Sequence, residues 1–410
     1  MDRFTGIIGI VLILSIAFLF SNNKKRINLR LVCSGLALQL LIAILVLKVP
    51  AVNQFFQYLG KGMQKLEGFA KEGASFVYGG IGVLNPGGQL VNYGVAPVFV
   101  FAFNITATII LVCILVAILY HLRIMQLIVS LVAKAMNFVM RVSGAEALSN
   151  VASAFVGQVE AQVMIRAYLP TMTRSELLAS MSGSLACIAG GILIVYANMG
   201  ARPDYLIAAS LMAAPGALVI SKIVFPETEV SPTMGTVKLN VKSDYTNLVD
   251  AITHGAADGF KIAMNVIAML IGFIALIAMV NWMLGHIYHG LSLDMIFSNL
   301  FYPFAWAMGV PSQDIHNAAA LLGQKLTINE FVAFKNLTTH TVPVVTPKGL
   351  TIITIAICGF ANFSSVGMQI GGIGALAPER RGDLAKLGMK ALLCGTLASY
   401  LSATIAGMLI

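Results

Sequence analysis

Eight separate blocks of this chain are apolar for long enough to cross a lipid bilayer. They run near 5–21, 28–49, 94–120, 176–198, 203–225, 261–285, 349–370 and 386–409. A helix needs about 20 apolar residues to traverse the hydrocarbon, so the chain reads as an all-α polytopic membrane protein. Composition agrees. The chain is 58% hydrophobic and 10% charged, whereas a soluble domain carries roughly 25% charged residues. The first block has charges on both sides and no small-residue cleavage site, so it is expected to be a retained helix rather than a signal peptide. The longest polar stretch, about 226–258, is too short for an attached catalytic domain.

The net charge of +9 is not a nucleic-acid signal, because the basic residues cluster in loops. Lys24, Lys25, Arg26 and Arg30 follow the first block; Arg123, Lys134 and Arg141 follow the third; Arg380, Arg381 and Lys386 precede the last. The segment 286–313 has no Lys or Arg. The positive-inside rule then puts both termini outside. Segment 50–93 is external in this topology yet carries Lys61, Lys65 and Lys71, partly offset by Glu67 and Glu72. Phe55, Phe56, Leu59, Met63, Leu66 and Ala70 fall at helical spacing, so an amphipathic helix in the membrane interface is expected there. The cysteines at 33, 113, 187, 358 and 394 form no CxxC pair and read as small core residues. His286 and His289 are three apart in an external loop, and no metal site is expected from them. No cofactor is implied.

Three polar runs sit where the pattern otherwise demands hydrocarbon. They are Gly157-Gln158-Val159-Glu160, Asn329-Glu330 and Asn362-Phe363-Ser364-Ser365. Ionisable and amide groups at bilayer depth usually line a polar pathway. Region 147–170 has Gly157 near its middle, and region 312–338 has Gly323 near its middle. Each is too short on either side of its centre to span, so re-entrant hairpins are expected, with their irregular backbone facing a protein cavity. The regions resemble each other: Asn150 to Gln158 reads NVASAFVGQ and Asn317 to Gln324 reads NAAALLGQ. Each is followed by a Glu, then by a small-polar break in the next apolar block, Ser184 to Gly191 and Gly359 to Ser365. With the charge bias, the two units form an inverted repeat, an arrangement that places a substrate site near the midplane.

The chemistry of these runs suits a polar, uncharged solute. Gln158 offers both donor and acceptor, as a heterocyclic base edge requires. Glu160 and Glu330, when ionised, accept from hydroxyls or a base N–H. Asn362 offers both roles, Ser365 a hydroxyl, and Phe360 and Ile192 an apolar wall. Single intramembrane Asn, Ser or Gln residues often only bond neighbouring helices, and Glu330 could pair with Lys325 or Lys335. Convergence of two Glu, a Gln and an Asn on related breaks favours a pocket. No nucleophile–base pair, phosphate loop or metal-ligand spacing is present, so an enzyme is not expected. A channel would need a continuous polar path rather than a pocket closed by two hairpins.

These residues resemble the concentrative nucleoside transporter family. The resemblance runs over essentially the whole chain. It is carried by Gly157 to Glu160, by Ile328-Asn329-Glu330-Phe331-Val332-Ala333, and by Gly359 to Gly367. Pro226-Glu227-Thr228-Glu229 and Met269 to Ile277 add to it without carrying chemistry. It implies eight membrane helices plus two re-entrant hairpins and interfacial helices, assembled as a homotrimer, with a transport domain moving like an elevator against a scaffold. It implies Gln158 and Glu160 at the nucleobase, Glu330, Asn362 and Ser365 at the ribose, and Phe360 and Ile192 beside them. It implies a bacterial inner-membrane symporter for nucleosides of the uridine, cytidine and adenosine class.

The chain departs from the family pattern at several positions. Val159 stands where Thr or Ser is common, which removes a hydroxyl from the base side. In sodium-coupled relatives Asn stands at the position of Ser153 and Ser at that of Cys187. Val156 and Ile188 would supply backbone carbonyls whatever their side chains. Sodium prefers oxygen ligands, and a thiol is a poor substitute. Ser153, Val156, Cys187 and Ile188 thus read as a degenerate sodium site. Proton coupling is favoured, with Glu160 or Glu330 as carrier and sodium as the alternative. The expected organisation is scaffold helices with interfacial segments over 1–146, first hairpin and broken helix over 147–225, a cytoplasmic segment and scaffold helix over 226–311, and second hairpin, broken helix and last helix over 312–410.

Overall fold

The computed structural model describes residues 2–78, 101–234, 245–288 and 290–410. Over these residues the regular structure is entirely helical. Residues 94–100 of the third apolar block, residues 79–93 of the expected external stretch and His289 lie outside the described residues.

The N-terminal part comprises α1 (Asp2–Leu19), α2 (Leu29–Lys48), α3 (Pro50–Tyr78), α4 (Phe101–His121) and α5 (Ile124–Met140). The Asn28 side chain caps α2 by accepting from the Leu31 amide at 3.3 Å. α3 is the expected amphipathic helix. It buries Ala70 and Ala74 and leaves Phe55, Tyr58, Phe69 and Phe76 exposed. The side chains of Phe56, Leu59 and Met63 lie outside the described set. α4 and α5 meet at a 76° bend, where Arg123 takes a left-handed conformation at φ 61°.

Two units of the same element order follow. The first is α6 (Gly144–Ser153), α7 (Glu160–Val163), α8 (Arg174–Ala186), α9 (Gly190–Asn198) and α10 (Pro203–Val224). Then come α11 (Leu248–Ile287), α12 (Leu293–Leu300) and α13 (Tyr302–Ala307). The second unit is α14 (Ile315–Thr327), α15 (Glu330–Thr338), α16 (Pro347–Ile357), α17 (Phe363–Leu376) and α18 (Arg381–Leu409). In both units two short helices precede a threonine-capped one. Thr173 accepts from the Glu176 amide at 3.1 Å, and Thr346 accepts from the Gly349 amide at 3.0 Å. Side-chain caps of this kind satisfy orphan amides at helix starts.

The eight expected spans fall on α1, α2, α4, α8 with α9, α10, α11, α16 with α17, and α18. Among the described residues, α2, α10 and α18 with its lead-in are long and apolar enough on their own. The fourth and seventh spans are broken in the middle, as the small-polar runs suggested. The two breaks meet: the Phe360 amide donates to the Cys187 carbonyl at 3.3 Å. Gly359 permits this approach, because a Cβ there would run into the Ala186 carbonyl oxygen. α10 and α18 pack on each other, and each packs on both α8 and α16.

One sequence alignment changes on the structure. Gly157-Gln158 lies in the turn between α6 and α7, but Gly323-Gln324 lies inside α14. Gly323 packs against Phe297, and Gln324 donates to Asp294 at 2.7 Å. The equivalence runs instead through Glu160 and Glu330, each the first residue of its second arm.

Pro226 to Glu229 has a structural task. Glu227 accepts from the Thr173 hydroxyl at 2.7 Å and pairs with Lys222 at 3.4 Å. Lys222, itself buried, pairs with buried Glu146 at 2.7 Å. This ties the starts of α6 and α8 to the end of α10. Arg380 does similar work for the segment between α7 and α8, donating to the carbonyls of Leu169, Pro170 and Met172 at 3.0, 3.1 and 2.7 Å. All five cysteines are free; Cys187, Cys358 and Cys394 are buried as expected, whereas Cys33 is exposed.

Candidate functional site

A cavity of about 450 Å3 opens between the paired units and the α4–α11 pair. That volume lies in the range of small-molecule sites, roughly 300–1,000 Å3. All eight candidate substrate residues line it: Gln158, Val159, Glu160, Ile192, Glu330, Phe360, Asn362 and Ser365. Residues from four different elements and two turns thus converge on one space.

Glu330 is the best-anchored polar group in the wall. Its carboxylate accepts from the Tyr196 hydroxyl at 3.0 Å and from the Asn362 amide at 2.9 Å. Neither Lys325 nor Lys335 forms an ion pair with it among the described residues, so the pairing considered from sequence is not made. Tyr196 is held in turn by stacking on Phe334, with ring centroids 4.3 Å apart. Asn329 starts α15 by accepting from the Val332 amide at 2.9 Å, which fixes Glu330 at the first turn. Asn362 caps α17, accepting from the Ser365 amide at 2.8 Å and from the Ser364 hydroxyl at 2.8 Å. Its oxygen is therefore committed to structure. Its amide nitrogen carries two hydrogens, one used on Glu330 and one remaining for a ligand.

On the opposite arm, Gly157 has φ 132°, a conformation that L residues rarely adopt. A Cβ at Gly157 would collide with the Glu160 carboxylate. The glycine lets the turn fold tightly under the carboxylate, which remains open to the cavity. Gln158 is 9% exposed. Its amide nitrogen finds only the Met368 sulfur at 3.8 Å, and its oxygen has no partner. A buried carboxamide so poorly satisfied is poised to bond a ligand. Val159 lines the cavity and its methyls also lie against Gly372 of α17.

The four candidate cation residues lie beside the cavity, and of them only Val156 lines it. Ser153 donates to the Ser149 carbonyl at 2.7 Å and meets the Ser184 hydroxyl at 2.8 Å. Cys187 points its thiol at the carbonyls of Asn150 and Ser210, 3.9 and 3.8 Å away. The Ile188 carbonyl accepts from the Ser210 hydroxyl at 3.1 Å. Its oxygen, read from sequence as an ion ligand, thus has an internal partner. Among the described residues no group of three His, Cys, Asp or Glu could hold a metal ion.

The structure adds wall residues that the sequence reading missed. Tyr196 sits within an apolar block, where a tyrosine reads as ordinary core. Its only signal is its position four residues after Ile192, on the same helix face. Tyr120, Tyr245 and Asp258 complete the α4–α11 side, and nothing in the local pattern set them apart.

Three sequence families match successive parts of the chain. Residues 8–81 match the N-terminus of the Na+ dependent nucleoside transporters, residues 102–203 a nucleoside recognition gate, and residues 205–407 the transporter C-terminus. Similar proteins include the uncharacterized transporter YutK of Bacillus subtilis, 41% identical over the full length of both chains. The nucleoside permease NupC of Helicobacter pylori is 37% identical over 99% of this chain and 97% of its own. Sodium/nucleoside cotransporter 1 of Rattus norvegicus is 35% identical over all of this chain and 64% of its own. Among solved structures, CNTnw in an inward-facing substrate-bound state aligns with a TM-score of 0.91 at 37% identity, covering 100% of this chain and 98% of that one. The whole-length matches agree with the cavity and the paired broken helices: the chain belongs to the concentrative nucleoside transporter family, a family of membrane-embedded transporters and not of enzymes.

Proposed function

We propose that this protein is a secondary active symporter that brings nucleosides across a bacterial inner membrane, driven by a cation gradient. The observation that carries this reading is the convergence of Gln158, Glu160, Glu330, Asn362 and Ser365 on one cavity. Glu330 is oriented by Tyr196 and Asn362 to accept from a pair of ribose hydroxyls. Gln158, with an unsatisfied carboxamide, and Glu160 take the base edge, while Ile192 and Phe360 pack on the ligand. Uridine, cytidine and adenosine are the substrate class.

Proton coupling is favoured over sodium coupling. Cys187 presents a thiol where an oxygen ligand is wanted, and the Ile188 carbonyl has an internal hydroxyl donor. Sodium remains the alternative, supported by the sodium-dependent family description. In the same reading the two short-helix pairs are re-entrant hairpins of an inverted repeat, both termini lie outside, and a homotrimer provides the scaffold. The hairpins and broken helices move together against α4 and α11, as in an elevator.

Purified protein in proteoliposomes, given labelled uridine and a cation gradient, tests this reading. Saturable uptake is expected, inhibited by unlabelled nucleosides and not by free bases. Equal inhibition by uracil and uridine would defeat the ribose assignment, and non-saturable flux would favour a channel.

A further inference from the structure

α7 is only four residues long, yet it carries Glu160 at its start. A single helical turn is not stable by itself, because nucleation fixes several dihedrals for one hydrogen bond. Its cap residue, Val159, makes no side-chain cap bond. The corresponding α15 is nine residues long and is capped by Asn329. Something other than capping must therefore hold α7.

Gln162 is placed to do so. It lies two residues after Glu160, about 200° around the helix, so it faces away from the cavity. It is fully buried. Its amide nitrogen donates to the Ser184 hydroxyl at 2.8 Å, and its oxygen accepts from the Ser180 hydroxyl at 2.6 Å. Ser180 and Ser184 are one turn apart on α8, so one carboxamide spans one turn. The same two hydroxyls meet α6: Ser180 lies 2.5 Å from Ser149, and Ser184 lies 2.8 Å from Ser153. Five buried side chains thus join both arms of the first hairpin to α8 in one network. Buried polar networks of this sort are rigid when every member is satisfied.

We propose that Gln162 is a positioning residue for the nucleobase end of the site. Its bonds to Ser180 and Ser184 fix α7 on α8, and through α7 they fix the Gly157–Glu160 turn that presents Gln158 and Glu160. The substrate part of the proposal rests on the nucleoside reading above; the positioning part does not. A purely structural role for Gln162 predicts lower stability with unchanged selectivity. A positioning role predicts that base selectivity is lost while ribose selectivity persists.

The test uses the full-length protein in proteoliposomes, with Gln162→Met, Ser184→Ala and the Ser180→Ala/Ser184→Ala pair. Met keeps the length of the side chain and removes its hydrogen bonds. In Gln162→Met the uridine KM is expected to rise about tenfold, and discrimination among nucleosides that differ only in the base to shrink to about twofold. Discrimination between uridine and 3′-deoxyuridine stays as in the wild type. The serine pair reproduces the effect, and combining it with Gln162→Met adds little. Retained base discrimination in these variants overturns the proposal. If Gln162→Met does not fold, Ser184→Ala and hydrogen exchange decide the matter: exchange is expected to rise over residues 155–164 and to stay unchanged over α15. Unchanged exchange over 155–164 overturns the positioning role. If the wild type takes up no uridine the transport reading fails, while the exchange measurement still decides positioning.

Discussion

Glu330 takes one hydrogen bond from a tyrosine and one from an asparagine, and the two donors can be removed separately. Tyr196→Phe keeps the ring stacked on Phe334 and deletes only the hydroxyl. A hydrogen bond to a charged acceptor is worth about 1.5–3 kcal/mol, so uridine affinity should fall about tenfold or more, measured by competition uptake, with expression unchanged. Full affinity in Tyr196→Phe would mean that Asn362 alone orients the carboxylate. Glu330→Ala removes the acceptor itself and is expected to abolish uptake; near-normal uptake would defeat the site assignment. Lys325 is a different case. It is fully buried, its ammonium has no hydrogen bond, and it lies 6.0 Å from the centroid of the Tyr400 ring. An ammonium held away from water without a partner is unfavourable. Lys325→Met should therefore raise the melting temperature in detergent while reducing uptake, because Glu330 loses an attractive positive charge nearby. A drop in melting temperature would show that Lys325 stabilises the fold. The site carboxylates and amides were legible because ionisable groups stand out in apolar blocks. Tyr196 was not, because a tyrosine within a span looks like packing until its partner is located.

At the scale of elements, the breaks in the two discontinuous spans were readable from Ser, Cys, Gly and Asn runs that no continuous apolar helix needs. Their crossing was not readable, since it depends on two backbones meeting across more than 150 residues. Gly359 marks that crossing. Gly359→Ala should push the Ala186 carbonyl away and separate the Phe360 amide from Cys187. Overpacking of this kind typically costs about 1–3 kcal/mol, so a lowered melting temperature and weakened uridine binding are expected together. An unaltered melting temperature would show that the breaks tolerate separation. The repeat itself was visible, but the sequence match put the wrong residues in register. NAAALLGQ resembles NVASAFVGQ because both are first arms of small apolar residues. The turn comes immediately after α14, at Ile328 and Asn329, four residues beyond Gln324. Similar composition on similar elements produced the shifted alignment; the shared position of Glu160 and Glu330 corrects it.

At the scale of the whole molecule, the proposed coupling turns on whether the junction beside the cavity needs a bound ion to be complete. The region around Ser153, Cys187 and Ile188 is already knit by its own hydroxyls and carbonyls. Such a junction does not need a bound sodium ion to satisfy its polar groups. A proton needs only a carboxylate, and Glu160 lies open to the cavity without a side-chain donor among the described bonds. Uridine uptake should therefore follow an imposed inward pH gradient with sodium absent, and should collapse when the gradient is dissipated. An inward sodium gradient at equal pH should drive little uptake. Cys187→Ser returns an oxygen to the junction with little change of volume, and Ser153→Asn adds a second carbonyl-type ligand. The double variant is expected to gain sodium stimulation that the wild type lacks. Uptake by the wild type under sodium alone would reverse the coupling assignment. It would mean that the Val156 and Ile188 carbonyls suffice with the Ser153 hydroxyl, and that the Ser210 hydroxyl gives way when the ion arrives.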